Sequence, residues 1–268
     1  MPVANFDDDR ARYAGQLVTA VREAGQLALG KFRAPLKSWN KGDDSPVSEA
    51  DIAVNEFLQE RLRDPDGHIG WLSEETEDDP ERMKARRVWI IDPIDGTRAY
   101  IGGLPDWSIA TALVEDGRPI VAALYAPVDD EMFVAVAGKG ATLNGQPIGV
   151  GDGGLDGTRI AAPPGYLRRL QQNAPGIAPQ PKIHSLALRF ARVAHGAIEA
   201  AFASGNSHDW DLAGADLLVH EAGGLLTTFT GQSLTYNRPD PVHPPLVAAG
   251  PQRHAALIAL VQEHPISR

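Results

Sequence analysis

The segment IIDPIDGT, residues Ile90–Thr97, allows few folds, because an apolar run ends there directly in two carboxylates, Asp92 and Asp95. A run as apolar as Val88–Ile91 is typical of a strand that other layers bury. At the end of a buried strand, two unpaired carboxylates repel each other and lose their hydration. A hard cation with oxygen ligands removes this conflict. The segment therefore predicts a layered protein with a Mg²⁺ site at a strand end.

The same letters also suit a simple turn, since Asp-Pro and Asp-Gly are common turn dipeptides. Two further acidic groups favour the metal site. Glu74 and Glu75 end another apolar stretch, and Asp211 begins a predicted helix. Alone, the Glu pair suits a solvated loop and Asp211 suits a helix N-terminus. Three acidic clusters at the ends of apolar elements predict one shared site, and Asp and Glu without His or Cys suit Mg²⁺ or Mn²⁺ rather than zinc.

Hydrophobic periodicity predicts two opening helices, Asp8–Lys31 and Ser48–Leu62, with Ser48 as N-cap and Asp51 as its acidic partner. The predicted strands are His68–Leu72, Val88–Ile91, Trp107–Val114, Ile120–Tyr125, Glu131–Ala137, Ala141–Leu143, Thr158–Ala162, Ile198–Ala203, Leu225–Phe229 and Leu246–Ala249. The further predicted helices are Leu186–Ala194, Leu212–Ala222 and Gln252–Val261. Alternation of strands and helices favours a layered α/β arrangement over a helical bundle.

A change in composition predicts a domain boundary within Asn144–Gly157, which is rich in turn formers. We expect an N-terminal α+β domain over residues 1–150 that carries most of the metal ligands. A C-terminal α/β domain over residues 151–268 would contribute Asp211 and the substrate contacts. The chain of 268 residues is 43% hydrophobic, which is enough for a substantial core.

Composition also excludes several classes of function. The net charge is −10, and the 25 basic residues are scattered among 35 acidic ones, which argues against a nucleic-acid polymer as partner. No run of about 18 uncharged apolar residues and no secretory N-terminus is found, so we expect neither membrane nor secretion. The absence of cysteine excludes a thiol nucleophile and disulfides, and a cytoplasmic location fits best. A bound cation would still let an acidic protein bind an acidic small molecule.

At its three acidic clusters the chain resembles the inositol monophosphatase family of Mg²⁺-dependent, lithium-sensitive phosphatases. The resemblance rests on SPVSEAD (Ser45–Asp51), LSEE (Leu72–Glu75), WIIDPIDGT (Trp89–Thr97), GKGATLNG (Gly138–Gly145) and WDLAGADLLVHEAGG (Trp210–Gly224). It spans nearly the whole chain. It implies a layered αβαβα sandwich, as in inositol monophosphatases and fructose bisphosphatases. It also implies Li⁺ inhibition, and a homodimer is expected because members of the family are often dimers.

The resemblance further implies two or three Mg²⁺ ions per site, with Mn²⁺ as a substitute. The matching metal ligands are Glu74, Asp92 and the Ile94 carbonyl for the first ion, and Asp92, Asp95 and Asp211 for the second. Asp51 and Thr97, with Glu74 nearby, match the catalytic residues that orient and activate the attacking water. Gly96 and Thr97 match a main-chain cradle for phosphate. Lys41 and Glu75 match residues near a third, weaker metal or near the phosphate.

The substrate implied by the resemblance is a small phosphate monoester. The LSEE form and the KGDDSPV lead-in resemble the 3′(2′),5′-bisphosphate nucleotidase branch, which converts 3′-phosphoadenosine 5′-phosphate to AMP in sulfur metabolism. The run DPIDGTRAYIGGLP also resembles inositol and histidinol phosphatases. We therefore expect the nucleotide, with inositol 1-phosphate or histidinol phosphate as the alternatives.

Substrate contacts are expected from HSLALRFARVAHG, where related proteins carry GS followed by a Lys. Here His184 replaces the Gly, Ser185 matches the Ser and Arg189 falls near the Lys, so Arg189 is a candidate for binding a second phosphate. A helix-surface arginine is the alternative. Asp211 is also a candidate substrate contact. A hypothesis of another class is a non-catalytic protein with a structural metal site, but such a site has no need of the Asp51 and Thr97 pair.

Overall fold

Helices cover one face of the first sheet at the start of the chain. The computed structural model describes residues 6–42, 45–64 and 67–265. Its first elements are helix α1 (Phe6–Lys31), strands β1 (Ser38–Asn40) and β2 (Pro46–Ser48), and helix α2 (Glu49–Leu62). The predicted cap is confirmed: Ser48 Oγ accepts from the Ala50 N–H, and the Asp51 carboxylate accepts from the Ser48 N–H at 2.8 Å.

A seven-stranded sheet follows. Its strands are, in spatial order, β3 (Ile69–Ser73), β4 (Arg87–Asp95), β5 (Ser108–Glu115), β6 (Arg118–Ala126), β7 (Glu131–Val136), β8 (Gly140–Leu143) and β9 (Gln146–Pro147). β3 pairs with β4 in parallel, and every other neighbouring pair is antiparallel. A 3₁₀ helix, Pro80–Lys84, joins β3 to β4, and the short helix α3 (Thr97–Ile101) follows β4.

The rest of the chain builds a smaller five-stranded sheet with helices on both sides. Its elements are β10 (Arg159–Ala161), α4 (Pro164–Asn173), β11 (Ala178–Pro179), α5 (Leu186–Ala194), β12 (Ala200–Ala203), β13 (Ser207–His208), α6 (Asp209–Glu221), β14 (Leu225–Thr228), β15 (Val242–His243), β16 (Leu246–Ala249) and α7 (Pro251–Glu263). The spatial order is β11-β10-β12-β16-β14, while β13 and β15 form a separate antiparallel pair.

Alternating side chains of the strands connect five layers. On β4, Trp89 and Ile91 belong to the core that includes α1 and α2, whereas Val88 and Ile90 belong to the core that includes α5 and α6. The same α5 and α6 core includes residues of β12 and β16, and the opposite face of the smaller sheet packs with α4 and α7. The αβαβα arrangement expected from the resemblance is therefore confirmed.

Several elements differ from their predicted bounds. α6 begins at Asp209, three residues before the predicted start, so Asp211 lies in the first turn of the helix. The predictions also missed α4, which begins at the second of two consecutive prolines and has little apolar content, and the short strands β1 and β2. The two-domain division stays a prediction. Within the described residues, no helix combines the length and apolarity needed to cross a membrane.

Candidate active site

A bulge at the end of β4 directs the two predicted carboxylates to the same side. Asp92 pairs with Ala110 of β5, but Asp95 pairs with Ser108, so three steps along β4 match two along β5. In a regular strand, residues three apart face opposite sides. With the extra residue, an oxygen of Asp92 and one of Asp95 lie within 4.8 Å of each other and of an oxygen of Asp211.

Each of these three carboxylates is fixed by a different element. Asp92 Oδ1 accepts from the Ile94 N–H at 3.0 Å within the bulge. Asp95 faces the start of α5, where it accepts from Ser185 Oγ at 2.6 Å and from two main-chain N–H groups. Asp211 accepts from the His208 N–H at 2.6 Å in the first turn of α6. The site is therefore assembled from β4 and the N-terminal ends of the two middle helices.

Burial sets the electrostatics of this cluster. It raises the pKa of Asp92 and of Asp211 well above the usual value of an aspartate, and neighbouring carboxylates raise both further. Burial also raises the pKa of Asp95, although the hydrogen bonds from α5 oppose that shift. Asp92 and Asp95 are buried and Asp211 is half-buried, and three mutually repelling oxygen donors of this kind suit a hard divalent cation, so the residues present fit Mg²⁺.

The ammonium group of Lys41 contacts both Glu74 and Glu75. Glu74 lines the cleft, and burial raises the pKa of its carboxyl to about 7. Lys41 Nζ lies 2.5 Å from Glu75 Oε2, 3.1 Å from the Glu74 carbonyl and 3.9 Å from Glu74 Oε1. The Glu75 side chain is only 2% exposed. Glu75 is thus neutralised by Lys41, and its predicted role near a third metal stays a prediction.

The predicted water-activating pair lies together. Thr97 Oγ1 is 3.0 Å from Asp51 Oδ1 and 3.0 Å from the Ile94 carbonyl. Asp51 accepts further hydrogen bonds from Ser48, while burial raises the pKa of its carboxyl. The Thr97 hydroxyl is therefore held between an acid on α2 and the bulge of β4.

A cleft of about 210 Å³ lies beside the three clustered aspartates and Thr97. Its lining comprises Ser45, Pro46, Glu74, Asp92, Ile94, Asp95, Gly96, Thr97, Arg98, Lys182, His184 and Asp211. Gly96 has a φ of 94°, and a Cβ there would lie 3.1 Å from Ser185 N and 3.2 Å from the Asp106 carbonyl. Only glycine fits this position without displacing main chain, so the predicted phosphate cradle at Gly96–Thr97 directly borders the α5 segment.

Besides Lys41, two predicted substrate residues, Ser185 and Arg189, lie outside the lining of the cleft. Ser185 caps α5, because its hydroxyl oxygen accepts a hydrogen bond from the Leu188 N–H. The same hydroxyl donates a hydrogen bond to the Asp95 carboxylate. Arg189 donates to the carbonyls of Phe202 and Ile183 at 3.1 and 2.7 Å, so it is not a surface arginine. It lines a neighbouring, more apolar cavity instead. Its binding of a second phosphate stays a prediction.

Sequence reasoning missed other residues of the cleft. Lys182 lines it, and no motif marked this residue; Arg98 also lines it and was given no role, although it lies within the run DPIDGTRAYIGGLP. His184 was recognised only as a departure from the family motif, and its partner Asp106 carried no signal at all, because the two residues meet only when α5 packs against the start of β5.

The comparisons agree with this geometry. The profile of the inositol monophosphatase family matches residues 9–265. The chain is 32% identical over 228 residues to the Nus factor SuhB of Escherichia coli K12, covering 80% of this chain and 84% of that protein. It is 33% identical over 237 residues to an inositol monophosphatase of Dictyostelium discoideum, covering 82% and 86%.

A third relative and a solved structure are similar to this chain over most of its length. The chain is 31% identical over 232 residues to the 3′(2′),5′-bisphosphate nucleotidase CysQ of Aggregatibacter actinomycetemcomitans, covering 83% of this chain and 86% of that protein. A solved structure of an inositol monophosphatase of Thermotoga maritima superposes with a TM-score of 0.82 at 25% identity, over 95% of this chain and 97% of that one.

The layered fold and the cluster of carboxylates are typical of a family of Mg²⁺-dependent phosphatases. The chain belongs to the inositol monophosphatase family.

Proposed function

We propose that this chain hydrolyses a small-molecule phosphate monoester, with Mg²⁺ held by Glu74, the Ile94 carbonyl and the three clustered aspartates. The observation that carries the proposal is the cluster of Asp92, Asp95 and Asp211, of which one oxygen each lies within 4.8 Å of the others. The Asp51 and Thr97 pair beside it supports catalysis over a purely structural metal site.

Each residue of the site has its own role in the proposed hydrolysis. Thr97 donates its hydroxyl proton to Asp51, which leaves oxygen lone pairs to accept a hydrogen bond from the attacking water. The main-chain N–H groups of Gly96 and Thr97 hold the phosphate oxygens. Water forms the new P–O bond while the ester P–O bond breaks. One proton of the water passes through Thr97 to Asp51, and the leaving alkoxide takes up a proton from solvent water to become the alcohol product. When bound, Mg²⁺ supplies Lewis-acid stabilisation of the phosphoryl and leaving oxygens.

The proposed substrate is 3′-phosphoadenosine 5′-phosphate, which would be hydrolysed to AMP. The similarity to a CysQ nucleotidase supports this choice. So does the position of Lys182, which lines both the cleft and the neighbouring cavity that holds Arg189. A cation at that junction suits a substrate with a second phosphate.

Inositol 1-phosphate is the second candidate. The similarity to the inositol monophosphatase of Dictyostelium discoideum, at 33% identity, favours it. Both candidates require the same metal ligands and the same attacking water, so they differ only in what binds beyond the phosphate. Histidinol phosphate remains the third substrate to test.

The test is release of phosphate by the purified protein with Mg²⁺ from these three substrates, each with and without a chelator. Preference for the nucleotide that is lost with chelator supports the full proposal. Preference for inositol 1-phosphate or histidinol phosphate keeps the mechanism and overturns the substrate. If no substrate yields phosphate while Mg²⁺ still raises the melting temperature, the cluster is a structural metal site. Adding Li⁺ or replacing Mg²⁺ by Mn²⁺ tests the expected inhibitor and the expected substitute.

A further inference from the structure

The wall of the cleft carries a histidine with a fixed ring. His184 Nδ1 lies 2.6 Å from Asp106 Oδ2, and the main-chain N–H of His184 lies 2.6 Å from the same oxygen. The Asp106 carbonyl also accepts from the Ser185 N–H at 3.1 Å. Rotation of the ring would break the Nδ1 contact, so the side chain is oriented before any ligand arrives.

The hydrogen bond to Asp106 assigns roles to the two ring nitrogens. An ionised carboxylate can only accept, so Nδ1 carries the proton of the neutral ring. Nε2 is then a hydrogen-bond acceptor. The ring belongs to the lining of the cleft, and its side chain is 25% exposed. An uncharged acceptor of this kind suits a hydroxyl group of a ligand better than it suits a phosphate oxygen.

The position of the ring relates it to the scissile group. Gly96, in the predicted phosphate cradle, packs directly against Ser185 and Asp106, the two residues that flank or hold His184. The part of a substrate nearest to a bound phosphate is the carbon that carries it and the next carbon along. In a ribose or a polyol that next carbon bears a hydroxyl group.

We propose that His184 Nε2 accepts a hydrogen bond from the substrate hydroxyl on the carbon next to the phosphorylated one. The cleft would then select phosphate monoesters of vicinal diols, a class that includes nucleoside 3′-phosphates and inositol phosphates. The inference rests on the proposed function and names the substrate class of the same site.

The experiment compares 3′-phosphoadenosine 5′-phosphate with its 2′-deoxy analogue, which lacks only that hydroxyl. A neutral hydrogen bond contributes about 0.5–1.5 kcal/mol, so wild type should show a kcat/KM ratio of about 3 to 10 in favour of the ribose form. His184→Ala should bring the ratio to about 1. His184→Gln, which keeps an acceptor oxygen, should retain part of the preference.

Lys182→Ala is the matched control. Lys182 lines the same cleft and makes no hydrogen bond or ion pair within the part of the chain that is described. Both nucleotides carry the same two phosphates, so this variant should lower kcat/KM for both and leave their ratio unchanged. Melting temperatures with and without Mg²⁺ show that each variant is folded.

The outcomes separate this inference from the proposed function. A wild-type ratio near 1, or a ratio that survives in His184→Ala, overturns the role of His184 and leaves the phosphatase activity standing. If wild type hydrolyses neither nucleotide, the same comparison is made with inositol 1-phosphate and its 2-deoxy analogue, which overturns the nucleotide and still tests His184. Hydrolysis of none of the four compounds overturns the proposed function, and the inference falls with it.

Discussion

The two ends of the Asp92–Asp95 segment face different parts of the molecule. At one end, Asp95 meets the start of α5 and accepts three hydrogen bonds from residues about 90 positions away in the chain. At the other end, Asp92 accepts from the Ile94 N–H, and Glu74, Asp95 and Asp211 repel its charge. Both residues are buried: Asp92 is 1% exposed and Asp95 is 5% exposed.

The contrast shows two ways of placing a charge in a protein interior. Donors from the main chain and a serine stabilise the charge of Asp95, so this carboxylate also joins β4 to the middle helix layer. The charge of Asp92 is left for a cation to stabilise. Removing each charge should therefore cost the same activity but a different amount of stability.

The largest expected effect is loss of turnover in Asp92→Asn and in Asp95→Asn. Each variant removes a proposed metal ligand worth several kcal/mol of transition-state stabilisation, so kcat/KM should fall by about three orders of magnitude in both. Metal-free stability should separate them. Asp92→Asn should be as stable as wild type or more so, whereas Asp95→Asn should lose about 1–3 kcal/mol, because an amide cannot accept from all the α5 donors.

Urea unfolding in the presence of a chelator measures the difference. Equal losses of stability in the two variants would remove the distinction between a carboxylate stabilised by the fold and one left for a cation. Titration with Mg²⁺ provides the control, since both variants should bind it more weakly.

A second variant tests the side chain that connects this segment to α2. Thr97→Ala removes the hydroxyl shared by Asp51 and the Ile94 carbonyl, so kcat should fall about 100-fold while KM changes little. Thr97→Ser keeps the hydroxyl and should retain most of the activity. A rise in KM with unchanged kcat would make Thr97 a binding residue instead.

The pH dependence of metal-free stability sharpens the contrast further. Burial raises the pKa of Glu74 from 4.5 to about 7, so between these values the folded chain binds a proton that the unfolded chain releases. The free energy of unfolding without metal should therefore fall by about 2 kcal/mol from about pH 5 to about pH 7 and then level off. Glu74→Gln should reduce this slope, and so should saturating Mg²⁺. Thermal melts across this range, with chelator, provide the measurement, and a stability that rises with pH would contradict the expectation.

The smallest expected effect concerns Ser185, whose hydroxyl donates a hydrogen bond to Asp95. Ser185→Ala removes one hydrogen bond to Asp95 and the cap of α5, so it should lower stability by about 1–2 kcal/mol and activity only several-fold. Ser108→Ala is the control: Ser108 Oγ lies 2.9 Å from Ser185 Oγ, but among the described contacts the Ser108 hydroxyl makes no hydrogen bond to the Asp95 carboxylate. If the two variants behave alike, the bond to Asp95 contributes little.

Local sequence was enough to predict much of this site. The apolar run before Asp92 predicted the buried strand, and the Ser48 and Asp51 spacing predicted the cap of α2. The prediction also placed Asp211 near the N-terminal end of α6, although the helix begins three residues earlier than predicted. These signals succeed because strand burial and helix capping depend on residues close together in the chain.

Other features depend on contacts between distant segments. Charge repulsion alone predicts that Asp95→Asn leaves folding intact, and only the packing of α5 against β4 reveals the hydrogen bonds that argue otherwise. The His184 contact with Asp106 joins residues 78 positions apart and was not predictable for the same reason. The resemblance to a family supplied the set of ligands, and the structure supplied what holds each of them in place.

The bulge in β4 leaves part of this site beyond the reach of an alanine scan. The extra residue brings the main-chain carbonyl of Ile94 to the cleft, 3.0 Å from the Thr97 hydroxyl oxygen, and no side-chain substitution removes a carbonyl. Ile94→Ala would empty space in the core and still present that oxygen. Only a change in the number of residues between Asp92 and Asp95 would delete it, so insertions and deletions in this segment should be far less tolerated than replacements.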